Sequence, residues 1–487
     1  MTPRKGKRFP KVPIPSIPPG PTGLVPVRVR AAGIDVHSRE HYVAVPPESV
    51  PPESVPAGFV SPLPNLPPHI RVFPTDTRGL EELAAWLVTC GIATVAMEST
   101  GIYHTALMDV IQGRGIAVVV ADARQTANAP GRPKTDVLDC QWIQRLHSCG
   151  MLRASFVPPP KIRELRAYER QRDMMLRYAA SHVQHMQKAL ELMNCKLTEV
   201  ISDIVGHTGM LILRAIVRGV RDPVRLSAYR HFSCKANREE NREEIARALE
   251  GTWLPEYVFE LKQALKLYDE YRARLSDCEA EIAKCLASFE DRSEGREPAP
   301  RPRKRSKAKN AVRFDARSLL VKMAGVDVTA LEGIDESTAL TLLSELGFDL
   351  SAFPTERHFT SWLGLSPNHR GSGGRVKRRH VKPSTTRANR AFRLAASGCH
   401  HAKNALGAFY RRIAARSGGA KAIVATARKI AERFWRLLTG RGDYVRQAMN
   451  HYEDAYRLKL TRGLAKRAQE LGYRLTPIER TVETPLG

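Results

Sequence analysis

The chain has 487 residues, is 43% hydrophobic and 26% charged, and is long enough for two or more domains. That balance excludes a wholly disordered chain and a collagen-like repeat, and no run of about 20 apolar residues exists to span a bilayer. Lys and Arg number 77 against 50 Asp and Glu, a formal charge of +27 that calls for a polyanionic partner, nucleic acid ahead of an anionic membrane surface.

Residues 1–28 form a basic, proline-rich tail (Arg4, Lys5, Lys7, Arg8, Lys11) with no apolar signal-peptide core. A domain over 29–158 follows. Strands are predicted at Ala31–Val36, His41–Val45, Ile70–Phe73, Thr94–Met97 and Ile116–Ala121. Helices are predicted at Thr77–Cys90, Ile102–Gly113 and Asp136–Cys149, and strands alternating with helices imply an α/β sheet. Residues 46–68 carry the tandem repeat VPPESVPPESV and read as an insertion, because proline cannot donate to a sheet ladder.

Residues 159–290 are helical. Val183, Met186, Leu190, Met193, Leu197, Ile201 and Ile204 step by three and four, as do Val258, Leu261, Leu265, Tyr268, Tyr271, Leu275, Cys278, Ile282 and Cys285. Such seams belong to a coiled coil or helical hairpin, with a role in spacing or dimerisation. Residues 291–318 form a basic linker whose RPRKRSKAK run is either a nucleic-acid-touching arm or a solvated hinge. A helical domain over 319–445 opens with Met323–Leu346, a helix, a turn at Glu332–Asp335 and a second helix, like a helix-hairpin-helix. Residues 446–487 are an extension. The eight cysteines include no C-x-x-C pair and no zinc-finger spacing, which suits a reduced cytoplasmic protein working on the nucleoid.

Four acids of the α/β domain are candidate metal ligands. Asp35 ends the first strand in GIDVHS, Glu98 follows another in MESTG, and Asp136 and Asp139 share a helix face in KTDVLD. Ligands of α/β sheets gather at the carboxyl ends of strands. Singly, each acid is better read as structural: Asp35 as a turn cap, Glu98 as a cap of the next helix, Asp136 and Asp139 as a solvated helix start. Together they need a compensating cation, and oxygen-only ligation points to Mg²⁺ or Mn²⁺, one or two ions, in phosphoryl transfer. An actin-like kinase would need glycines directly after Asp35, where Val36, His37, Ser38 and Arg39 stand instead.

A second constellation is GLSPNHRGSGGR, from Gly364 to Arg375. Glycines around Ser372 leave room for a phosphodiester at its hydroxyl. Arg370, Arg375, Lys377, Arg378, Arg379 and Lys382, with Lys134 in the first domain, are candidate backbone contacts for nucleic acid. Spacing alone also fits a flexible Gly-Ser turn on a nucleic-acid-binding surface.

In order and spacing, GIDVHS, MESTGIY, KTDVLD, LEGIDESTALTLLSELG and FTSWLGLSPNHRGSGG resemble the insertion-sequence transposases of the IS-one-ten type, from about Val29 to Leu438. These are also called DEDD transposases and are understood as bridge-RNA-guided serine recombinases. The resemblance implies a RuvC-like, RNase-H-like first domain whose Asp35, Glu98, Asp136 and Asp139 bind Mg²⁺, a nucleophilic Ser372, and a coiled coil that dimerises. It also implies donor and target DNA, a structured guide RNA, and a homo-oligomer, dimer or tetramer, without a membrane. The insertion at 46–68 departs from the family pattern, and Lys382–Asn389 stands where members often carry Lys-Arg-Gly-Asn.

The chain is thus expected to be a transposase that excises and inserts its own element. A RuvC-like nuclease or junction resolvase is the rival enzyme, in which Ser372 is dispensable. A non-catalytic DNA-binding protein is the rival from another class, in which all four acids are dispensable.

Overall fold

A computed structural model describes residues 25–52, 66–99, 101–122, 135–230, 238–298, 310–372, 375–381, 384, 386–440, 458, 461–465 and 467–476. Lys134, Lys382, most of the tail, much of the proline-rich insertion and the RPRKRSKAK run lie outside them. The chain divides into two compact units, 1–157 and 158–487.

The first unit is a mixed five-stranded sheet of β1 (Ala31–Val36), β2 (Glu40–Ala44), β3 (Ile70–Pro74), β4 (Thr94–Glu98) and β5 (Ala117–Ala121). Their spatial order is β3-β2-β1-β4-β5. β2 runs antiparallel to both β1 and β3, whereas β1, β4 and β5 are parallel. Helix α1 (Thr77–Thr89) joins β3 to β4, α2 (His104–Gly113) joins β4 to β5, and α3 (Asp136–Ser148) follows β5. This is the mixed α/β half expected of a RuvC-like fold.

Side chains alternate across a strand, so β1 serves two faces. Ala32, Ile34 and Val36 pack with Leu83 and Leu87 of α1 and Leu107 and Ile111 of α2. Ala31, Gly33 and Asp35 take the other face, where α3 lies. Gly33 is required there: a Cβ would stand 2.1 Å from Gln144 N and 2.5 Å from Cys140 O. Ala96, beside Gly33 in the β1–β4 register, packs with Ile143 and Leu146 of α3. Two small residues thus form the floor on which α3 sits.

The second unit is mostly helical. α4 (Pro160–Leu192) and α9 (Pro255–Ala287), each 33 residues, pack side by side, both with proline in the first turn, where its missing N–H costs nothing. The seam predicted through Ile204 does not continue as one helix. α4 ends at Leu192, Asn194 adopts φ 57, and short helices follow: α5 (Leu197–Val200), α6 (His207–Val217), α7 (Pro223–Ser227) and α8 (Arg238–Ala248). Met193, Leu197 and Ile204 still join the shared core with Leu261, Leu265 and Tyr268, so the periodicity marked burial rather than helix continuity.

Beyond the helical pair come α10 (Ala316–Ala324), α11 (Glu336–Leu346), α12 (Glu356–Trp362), α13 (Arg387–Gly398), α14 (Ala405–Ser417) and α15 (Gly419–Leu438). Phe359, Phe392 and Phe434 are fully buried, with ring centroids 5.4–6.4 Å apart. The region expected to be purely helical also contains a hairpin of β6 (Pro367–Ser372) and β7 (Arg375–Val381). Gly-Gly between two extended runs is a hairpin signal, and the Gly-Ser turn reading missed it. Asp335 caps α11, its carboxylate accepting from Thr338 N at 2.8 Å, so the turn before this helix already holds an anionic group. Among the described residues, no helix is long and apolar enough to cross a membrane.

Candidate metal centre

The close approach of α3 to β1 builds the site. Asp35 is two residues beyond Gly33 on the same face of β1, and Glu98 is two beyond Ala96 on the same face of β4. Both strands are parallel, so both acids stand at carboxyl ends. Asp136 is the first residue of α3, and Thr135 caps that helix by accepting from Leu138 N at 3.3 Å.

Asp35, His37 and Asp136 each offer a ligand atom, and the three lie within 4.8 Å of one another. His37 Nε2 is 3.1 Å from Asp35 Oδ2 and 3.5 Å from Asp136 Oδ1. The side chains are 10% exposed for Asp35, 40% for His37 and 50% for Asp136, so the cluster opens to solvent on the helix side. Glu98 and Asp139 are half-buried and stand outside this tight group. Glu98 is close enough to act on the Asp35 carboxylate, and Asp139 lies one turn along α3.

Burial pushes the Asp35 carboxyl above the usual carboxylate range; His37 opposes the shift, while Asp136 and Glu98 reinforce it. The charge of Asp35 is therefore the costly one, and a cation offsets that cost best. Nearby groups register the same field. The Tyr42 phenol donates to Glu40 Oε1 at 2.6 Å, and burial, Glu40, Asp136 and Asp35 all hold it protonated. The Cys140 thiol, on the buried face of α3, is raised by burial and then by Asp35. A desolvated carboxylate, a second carboxylate and an imidazole at this spacing are a donor set that fits a divalent cation.

His37 was not among the four acids singled out in the sequence. Its signal was the two-residue spacing from Asp35, which puts both on one side of an extended chain.

The serine candidate lies in the other unit. Ser372 is the last residue of β6 and pairs with Arg375, with an irregular register between Arg370 and Gly371. Arg370 pairs with Arg378 and His369 with Arg379, so one short hairpin carries Arg370, Arg375, Lys377, Arg378 and Arg379. Arg387, next in the basic series, is committed elsewhere: its guanidinium is 2.9 Å from Asp173 and 3.7 Å from Glu169 on α4.

Two family models match the chain. One, described as a transposase and covering the DEDD domain of the IS110 (IS-one-ten) type, matches residues 69–195. The other, the transposase IS116/IS110/IS902 family, matches residues 325–411. No curated protein matches the chain. The first match takes in Glu98, Asp136 and Asp139 but begins after Asp35, immediately past the proline-rich segment; the second takes in Ser372 and the basic hairpin. Together they identify the chain as an IS110-type transposase, an enzyme that cuts and joins DNA. Its DEDD domain implies dependence on a divalent metal, and the cluster of Asp35 and Asp136 provides for one.

Proposed function

We propose that this transposase excises and inserts its own element by exchanging DNA strands, with Asp35, Glu98, Asp136 and Asp139 as its centre for Mg²⁺ or Mn²⁺ and Ser372 as its nucleophile. The observation that carries the metal centre is the seating of α3 on Gly33, which brings Asp136 to the end of β1 beside Asp35. Support for Ser372 comes from its place among the arginines of the β6–β7 hairpin, inside the second family match.

In this reading the Ser372 hydroxyl gives up its proton as its oxygen bonds to phosphorus, the ester bond to one DNA strand breaks, and the leaving sugar oxygen takes up a proton. Attack by a sugar oxygen of another strand then rejoins the DNA and frees the serine, so no bond energy is lost between the steps. A divalent cation at the acids would supply positive charge to the phosphate and leaving oxygens. Arg370, Arg375, Lys377, Arg378 and Arg379, with Lys134 and Lys382, would hold nucleic-acid backbones. A structured guide RNA would choose donor and target by pairing, and the α4–α9 helical pair would join subunits into a dimer or tetramer.

A second reading has support of its own. The acid cluster would suffice for a RuvC-like nuclease that uses metal-activated water, with Ser372 idle. A strand-exchange assay on wild type, Asp35→Ala and Ser372→Ala separates the two. The serine reading expects both variants to be inactive and a trapped reaction to yield a nucleotide adduct on the peptide from Gly371 to Arg375. Full exchange by Ser372→Ala, with no adduct in wild type, would establish the nuclease reading. Exchange by Asp35→Ala would remove the metal centre from both.

A further inference from the structure

His37 faces two carboxylates with one nitrogen. Its Nε2 is 3.1 Å from Asp35 Oδ2 and 3.5 Å from Asp136 Oδ1. The first is a good hydrogen-bond distance and the second is not. An imidazole nitrogen carries one proton or one lone pair, so it cannot satisfy both acids at once. A cation can satisfy all three. Adjacent ligands of an octahedral ion at about 2.1 Å lie roughly 3 Å apart, close to the spacing already present. The edge of the His37 ring also rests against Tyr42, at 5.9 Å and 82°, and Tyr42 is held by Glu40. The imidazole is thus steadied with its nitrogen at the mouth of the acid cluster.

The geometry points to His37 as a direct nitrogen ligand of the divalent cation. The centre is then a mixed oxygen and nitrogen site, selective for Mn²⁺ over Mg²⁺. Mg²⁺ is the harder ion, bound through oxygen and reluctant to shed water, whereas Mn²⁺ accepts imidazole beside carboxylate more readily. The inference rests on the proposed metal centre and adds to it a fifth residue and a metal preference.

The test is Mn²⁺ bound to the full-length protein. Electron spin echo envelope modulation should show a directly coupled ¹⁴N in wild type and lose it in His37→Asp, which keeps an oxygen donor at that position. Calorimetric titrations with Mn²⁺ and with Mg²⁺ should show the ratio of the two affinities falling about tenfold in His37→Asp and in His37→Ala, the order of loss typical of groups that tune a metal site. Thermal melts of both variants confirm that they fold. Stoichiometric Mn²⁺ binding that Asp35→Ala abolishes, with no ¹⁴N coupling in wild type, overturns the nitrogen ligand and leaves the acid centre standing. Absence of Mn²⁺ and Mg²⁺ binding to wild type overturns both. An unchanged affinity ratio in both variants overturns the selectivity.

Discussion

Asp35 occupies a place that resists charge: its side chain is 10% exposed and two further carboxylates act on it. Its folded pKa is raised, so above the unfolded value of 3.8 the folded chain holds its proton more tightly, and ionisation at neutral pH works against folding. Asp35→Asn should therefore raise the melting temperature of metal-free protein while abolishing strand exchange, and Mn²⁺ should raise it for wild type but not for the variant. A lower melting temperature in chelator would show that the His37 contact outweighs burial. His147 carries the opposite sign. It is fully buried, with Nδ1 3.0 Å from Arg28 Nη1 and Nε2 3.0 Å from Thr94 Oγ1. The guanidinium can only donate, so Nδ1 accepts and Nε2–H donates to Thr94. Burial, and then Arg28, push its pKa down to about 4. The unfolded ring takes its proton near 6.5, so stability should fall as pH drops from 6.5 to 4 and level off below. His41 is also pushed down to about 4, by burial and then His37, and acts in the same window. Unfolding midpoints across that range should slope less for His147→Gln; equal slopes would remove His147 from the account. Asp35 and Asp136 were legible because one stands at a strand end and the other at a helix start. His37 was not, because its second partner, Asp136, is brought to it only by the seating of α3.

At the scale of elements, the strands of the first unit read as short apolar runs because β1, β2 and β4 are buried along their length, and its helices read as period-3.6 stripes because each packs one face on the sheet. Legibility fails where backbone conformation decides. Asn194 at φ 57 ends a helix whose apolar seam runs on, and Gly373-Gly374 separates two strands too polar to read as a sheet. The polar face of α4 was illegible for a different reason, since its partners lie far along the chain. Arg172 and Glu279 are each about 5% exposed and form a buried ion pair between α4 and α9 at 2.9 Å. Arg172 also donates to Asn310 O at 2.8 Å, and Glu279 accepts from Arg313 N at 3.3 Å. With these added bonds the pair is satisfied, and removing one partner leaves an uncompensated buried charge. Arg172→Ala should cost about 3–5 kcal/mol, measured by denaturant unfolding, while Arg172→Met with Glu279→Leu should recover most of it. A double variant as unstable as the single would mean that the bonds to the 310–313 segment, not the pair, hold the two helices.

For the whole molecule the count of 77 lysines and arginines overstates what nucleic acid can use, because some of them are spent on ion pairs within the protein. Arg166 and Arg170 pair with Glu345, Arg172 with Glu279, Arg433 with Glu332 and Arg436 with Glu356. Arg387 is held by Asp173 and Glu169. A cation that already faces a carboxylate adds little to counterion release from DNA. The hairpin strands carry Arg370, Arg375, Arg378 and Arg379 and no acid in their own sequence. Binding driven by neutralised phosphates weakens as log salt rises, with a slope of about −0.9 per phosphate on duplex DNA. A surface that neutralises roughly six to ten phosphates should lose about a thousandfold or more in affinity between 50 and 200 mM salt. The slope, more than the affinity, then tells which arginines touch DNA. Replacing the four hairpin arginines by glutamine should make it shallower by about 0.9 for each phosphate no longer neutralised, a total near 3.6 if all four engage. Arg387→Gln should leave the slope unchanged and lower the unfolding midpoint instead, since its partners are Asp173 and Glu169 rather than phosphate. Fluorescence anisotropy on a short duplex across that salt range reads both variants. If the hairpin variant keeps the wild-type slope while Arg387→Gln flattens it, the DNA-facing charge lies on the helix and the hairpin serves some other role.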